Sequence, residues 1–207
     1  LACLTDVFGS ANPLSGRRTA GGSSAGTKTF YAGQDGEIAT VVDLLQEAVR
    51  RLDEAELDPF VEAELRYVLG KTLAESGQFE PAVTQLQKAV ALQGTQLGPQ
   101  AEATLASVER LTYALFQSGH TVEALALARP NYESVRAARG PADVMTRTFA
   151  THVARALAAD GRFEAAVGFL RELSSAAAAA REEYDEQVVE LRFELASAFS
   201  DIGRAAE

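Results

Sequence analysis

Apolar side chains recur at three- and four-residue intervals along most of this chain, the spacing that lines one face of an α-helix. The run Ile38, Val41, Val42, Leu45, Val49 and Leu52 predicts a first helix over about Glu37–Glu56. Asp58-Pro59 then supplies a capping residue ahead of a proline suited to a first turn, which predicts a second helix running to about Ser76 and ended by Gly77. A partner follows over about Phe79–Leu92, with Pro81 in its first turn, where a missing N–H costs nothing. Two antiparallel helices meeting at a glycine form the unit.

That unit repeats. Gly77, Gly119, Gly161 and Gly203 are spaced by 42 residues, a small residue follows five positions after the first three (Ala82, Ala124, Ala166), and Gly98-Pro99 returns as Gly140-Pro141. A fixed period of this size marks a helical solenoid. Copy two is predicted over about Pro99–Ser118 and Val122–Ala138, and Pro130 is expected to kink or break its second helix near Ala128, because its ring clashes with the Ala126 carbonyl. Copy three pairs about Pro141–Asp160 with Phe163–Arg181, whose tail Ala176–Ala180 is five alanines, the strongest helix formers. A last helix is expected over Asp185–Ile202.

The expected organisation is a short helix and Gly/Ser-rich linker over residues 1–36, an extra helix over 37–57, and an array over 58–207 of three copies plus the first helix of a fourth. The extra helix reads as a second helix lacking its first. With no initiating Met and an array that stops after Gly203, the chain reads as a piece of a longer polypeptide.

Charge and composition narrow the chemistry. The chain carries 29 acidic and 19 basic residues, a net charge of −10, and holds no block of five basic residues, so nucleic acid is not an expected partner. Its single cysteine, Cys3, and two histidines, His120 and His152, supply neither an internal disulfide nor a zinc cluster, and no cofactor or metal is expected. No apolar run approaches the ~20 residues that span a bilayer, so direct membrane insertion is not expected. Gly21 to Gly26 has the glycine spacing of a phosphate loop, but Thr27 occupies the lysine position and no apolar strand precedes it. Carboxylate pairs such as Glu182-Glu183 read as solvated helix surface, His120 as a solvated turn residue, and His152 as an inter-repeat hydrogen-bonding partner. No catalytic constellation emerges.

Leu69-Gly70 and Leu73 on a first helix, Phe79 after the turn, then Ala82, Leu86 and Ala89 on the second, resemble the tetratricopeptide repeat. The match continues more weakly through Leu111, Leu115 and Ala124, and through Val153, Ala154, Leu157, Phe163, Ala166 and Leu170. A period of 42 looks like the longer repeats of kinesin light chains. The resemblance implies an all-α fold, a right-handed α-solenoid of helical hairpins, in which small Gly or Ala residues let helices approach closely. Asn131 and Leu173 stand where Ala89 stands, which puts the packing there in question.

In that family the first helices line the concave face. By register the groove residues here are Tyr67, Lys71, Glu109, Tyr113, Phe116, Thr151, Arg155 and Phe193. Aromatics beside Lys and Arg suit a protein or peptide partner, through buried ring area and charge-assisted hydrogen bonds. Phe116 and Phe193 either line this groove or pack against a neighbouring repeat. The Lys and Asn clamp that some members use for chaperone carboxylates is missing, since Asn12 and Asn131 lie on no first helix.

A second resemblance covers Leu4 to Pro13, LTDVFGSANP, and Thr40 to Leu52, TVVDLLQEAVRRL. Both are similar to the segment after the membrane helix in bacterial transmembrane Ser/Thr protein kinases that bear such repeats. No kinase glycine loop, H-R-D or D-F-G is present, so the resemblance implies a non-catalytic interaction or sensory region of a larger signalling protein. It would be extracytoplasmic if that attachment holds and cytoplasmic otherwise. The repeat region of a transcriptional regulator is one alternative. An oligomerisation scaffold is another, because Leu195 and Phe199 lack a partner helix and could pair in a homo-oligomer.

Overall fold

The structure, a computed structural model, describes residues 31–32 and 38–179 together with Phe193 and Ala196. Seven helices follow one another among the described residues: α1 (Val41–Glu54), α2 (Pro59–Glu75), α3 (Phe79–Leu97), α4 (Glu102–Gln117), α5 (Thr121–Arg139), α6 (Val144–Ala159) and α7 (Phe163–Ala179). A two-residue strand, β1 (Tyr31–Ala32), pairs antiparallel with β2 (Ile38–Ala39) just ahead of them. Each helix packs on the next, and α4 also meets α2 and α6. The first helices α2, α4 and α6 therefore form one layer and the second helices another, an all-α solenoid.

The hairpins are closed by backbone bonds that recur with the repeat. Gly77, Gly119 and Gly161 have φ of +76°, +85° and +75°, a left-handed turn that glycine adopts without steric cost. The N–H of the following residue returns to the carbonyl five residues back: Gln78 to Leu73 at 2.8 Å, His120 to Leu115 at 2.8 Å and Arg162 to Leu157 at 2.9 Å. This is the Schellman closure, which satisfies carbonyls that a helix end leaves orphaned. Ala82, Ala124 and Ala166 then donate back to Gln78, His120 and Arg162 to open the second helix, and all three alanines are buried.

Helix ends depart from the expected bounds wherever a cap or a stop outweighs hydrophobic spacing. The first helix begins at Val41 instead of Glu37, because Thr40 and Asp43 form a reciprocal capping box, and Ile38 lies in β2. The partner α3 extends past Leu92 to Leu97 and stops at Gly98, φ +89°. Pro99 and Pro141 lie ahead of α4 and α6, which begin at Glu102 and Val144. Asp143 caps α6 through the Thr146 N–H at 3.1 Å, and Asp58 caps α2 through Phe60 N–H at 2.9 Å, as expected.

Pro130 does not break α5, which is a single helix from Thr121 to Arg139. The proline sits on the exposed face while Ala128 is buried, so its ring is accommodated on the solvent side. Leu173, in the position of Ala89, is likewise buried in the core, and Asn131 turns its amide to the Leu127 carbonyl. The expected helix over Asp185–Ile202 lies outside the described residues, apart from helical Phe193 and Ala196.

Two clusters make up the core among the described residues. Leu73, Leu86, Leu111 and Leu115 with Ala82, Ala114 and Ala124 fill the N-terminal one. Leu105, Val108, Tyr132, Val135, Phe149, Val153, Leu157, Leu170 and Leu173 fill the other, and Val90 and Leu127 touch both. Burying such side chains contributes about 1.5–3 kcal/mol each. Among the described glycines, Gly70 marks a close helix approach: a Cβ there would stand 2.6 Å from Leu86 Cγ. Polar contacts dock α1 on this core. Arg66, buried on α2, donates to Asp53 of α1 at 2.9 Å, Glu62 at 2.7 Å and Gln85 at 2.8 Å, while Lys88 of α3 reaches Asp53 at 2.8 Å.

Candidate functional site

A cleft of about 270 Å³ opens between α4 and α6. Glu109, Arg110 and Tyr113 line it from α4, and Thr148, Thr151, His152 and Arg155 from α6. Spacings of three and four residues put each set on one helix face. The two sets are also related to one another, since Glu109, Arg110 and Tyr113 stand 42 residues before Thr151, His152 and Arg155. The repeat thus brings the same three positions together from adjacent first helices.

Four of the eight residues expected to line a groove meet here: Glu109, Tyr113, Thr151 and Arg155. The other four lie elsewhere. Tyr67 and Phe116 are half-buried and pack against the N-terminal core cluster, so Phe116 joins the packing between repeats. Lys71 is half-buried, 3.9 Å from Glu75. Phe193 is 73% exposed. Within the cleft Thr151 is more enclosed than a groove residue was expected to be, at 7% exposure, and its hydroxyl donates to the Arg147 carbonyl at 3.1 Å.

Arg110, Thr148 and His152 also line the cleft, and register counting from the aromatic positions missed them. Stepping Val68 forward by one repeat gives Arg110 and by two gives His152, a signal that was available. His152 is 6% exposed and bonds across the repeats, its Nε2 3.0 Å from Glu109 Oε1. A carboxylate only accepts, so the imidazole N–H is the donor. Glu109 Oε2 lies 3.3 Å from Arg110 Nε. Tyr113 leans edge-on against Phe79 at 6.3 Å and accepts from the Gln117 amide at 2.8 Å, leaving its own hydroxyl hydrogen for another acceptor.

His120 is exposed, 3.4 Å from Glu80 and 3.8 Å from Glu123. Among the described residues, no group of three or more His, Cys, Asp or Glu side chains is arranged to hold a metal ion, and no helix is long and apolar enough to cross a membrane.

No family model matches the chain, and no curated protein matches it. Two crystal structures of a Podosopora anserina protein assigned as a kinesin light chain, with nearly identical TPR-like repeats, are similar in fold. The first, a methionine-substituted variant, shares 22% identity at a TM-score of 0.67 over 79% of this chain and 77% of that one. The second shares 22% identity at 0.65 over 79% and 78%. Neither bears on the resemblance to bacterial transmembrane kinases. What the likeness shows is the architecture: these helices form a solenoid of TPR-like hairpins.

Proposed function

We propose that this chain is a non-catalytic binding module that holds a protein or peptide segment in the cleft between α4 and α6. One observation carries the reading: the repeat register gathers Tyr113, Arg110, Arg155 and His152, side chains suited to ring contact and charge-assisted hydrogen bonds, around a single opening. Solenoids of this kind offer extended surfaces whose contacts accumulate from repeat to repeat. The resemblance of residues 4–13 and 40–52 to bacterial transmembrane kinases supports a finer reading, in which the array is the docking or sensory region of a larger signalling protein.

Selection of linear twelve-residue peptides on the immobilised protein tests the cleft directly. Selected peptides should lose roughly tenfold or more in affinity for Arg155→Gln and for Tyr113→Phe, the loss of one charge-assisted or hydroxyl contact. Peptides that bind wild type and both variants equally would place the binding surface elsewhere.

A further inference from the structure

The cleft already holds a carboxylate. Glu109 places one oxygen 3.0 Å from His152 Nε2 on the facing helix and the other 3.3 Å from Arg110 Nε on its own. Adjacent residues on a helix do not ordinarily face each other, so the Arg110 contact forms against the usual geometry of a helix surface. The Glu109 side chain is only 17% exposed.

We propose that Glu109 is a resident competitor: it occupies the donors an incoming carboxylate would use, and so determines how strongly acidic segments bind. The proposal rests on the reading of the cleft as the binding site. Its chemistry is displayed by the contact itself, an imidazole N–H to one oxygen and a guanidinium beside the other. A glutamate or aspartate side chain of a partner presents the same group. While Glu109 is ionised, such a side chain meets like charge and engaged donors. The threonines supply no substitute, because Thr148 and Thr151 donate their hydroxyl hydrogens to the Val144 and Arg147 carbonyls at 3.0 Å and 3.1 Å. With the Glu109 charge removed, the lining of this cleft holds the Arg110 and Arg155 guanidiniums and no carboxylate, within a chain of net charge −10.

A rhodamine-labelled hexaglutamate peptide, followed by fluorescence anisotropy at fixed salt, tests the assignment in a double-mutant cycle. Glu109→Gln should bind it roughly tenfold tighter than wild type. Glu164→Gln, which removes an exposed charge on α7, should change affinity by less than about twofold. Arg110→Gln should have little effect alone and cost roughly tenfold in the Glu109→Gln background, since only there is its guanidinium released.

If Glu109→Gln binds no tighter than Glu164→Gln, yet Arg155→Gln weakens both, the cleft is a binding site and the competitor role is overturned. If no variant binds more tightly and Arg155→Gln changes nothing, the competitor and the cleft reading fall together. Thermal melting of each variant accompanies the titrations. Should Glu109→Gln not fold, Glu109→Met removes the carboxylate at similar volume and takes its place under the same criteria.

Discussion

The helices α2 and α6 occupy the same place in their repeats and meet different surroundings. Ten residues of α6 are buried, including Phe149, Val153 and Leu157, against five of α2. Helices α4, α5 and α7 surround α6, whereas α2 meets α3 and, more lightly, α4, and has only the single helix α1 before it in the stack. The contrast is clearest at one register position, where Val68 is 52% exposed and His152, two repeats on, is 6% exposed. Phe60, at the start of α2, is 53% exposed. Burial in a solenoid is set by neighbours in the stack as much as by the repeat pattern, because each unit contacts only those beside it.

The contrast breaks most sharply at α6. Phe149→Ala empties a fully buried site in the C-terminal core and should cost about 3–5 kcal/mol, measured by urea unfolding. Val68→Ala, at the exposed end of the comparison, should stay within roughly 0.5 kcal/mol of wild type. Equal losses from the two would mean that the two first helices are buried alike.

A smaller effect is expected where α2 is at its tightest. Gly70→Val forces side-chain atoms into Leu86, whose Cγ already stands 2.6 Å from where a Cβ would lie, and should destabilise by roughly 1–3 kcal/mol. Gly70→Val combined with Leu86→Ala should recover part of that loss, since the cavity receives the added methyls. Failure of the pair to recover would show that the backbone contact to Leu86 N, at 3.2 Å from the same point, sets the limit.

The smallest effect belongs to the outer edge, where α1 is held by charge. Hydrogen bonding to Lys88 and then Arg66 holds the Asp53 carboxyl below the usual carboxylate range. Its contribution is therefore complete above the unfolded value of ~4 and is lost as pH falls through the lowered folded value. Amide exchange protection in α1, corrected for intrinsic rates, should fall below pH ~4 before that of α6 does. Asp53→Asn should lower α1 protection at pH 7 and flatten this dependence. Unchanged protection in that variant would assign the docking of α1 to Leu45, Val49 and Leu52 alone.

Much of the architecture was legible because glycine spacing records backbone conformation directly: three turns with positive φ demanded three glycines, at the same interval. Helix ends were less legible. The apolar spacing that includes Ile38 is indifferent to where capping bonds form, and the Thr40 and Asp43 pair decided the start of α1. Pro130 was expected to kink or break its helix; α5 is unbroken, and a linear pattern does not say that the ring takes an exposed face. For the site, register gave direction and missed depth. It found Tyr113 and Arg155, left Phe116 undecided between groove and core, passed over Arg110, and read His152 as the inter-repeat hydrogen-bonding partner it is without placing it in the groove.

The turn closures have a practical consequence. At Gln78, His120 and Arg162 the closing bond uses only the main-chain N–H, so three side chains of unlike chemistry occupy one geometrical address. Such addresses form a ruler along the array's edge, with one graduation per repeat. Labels or crosslinkers placed there, as cysteines for instance, would report repeat-to-repeat distances in solution while leaving the hairpins that hold them unaltered.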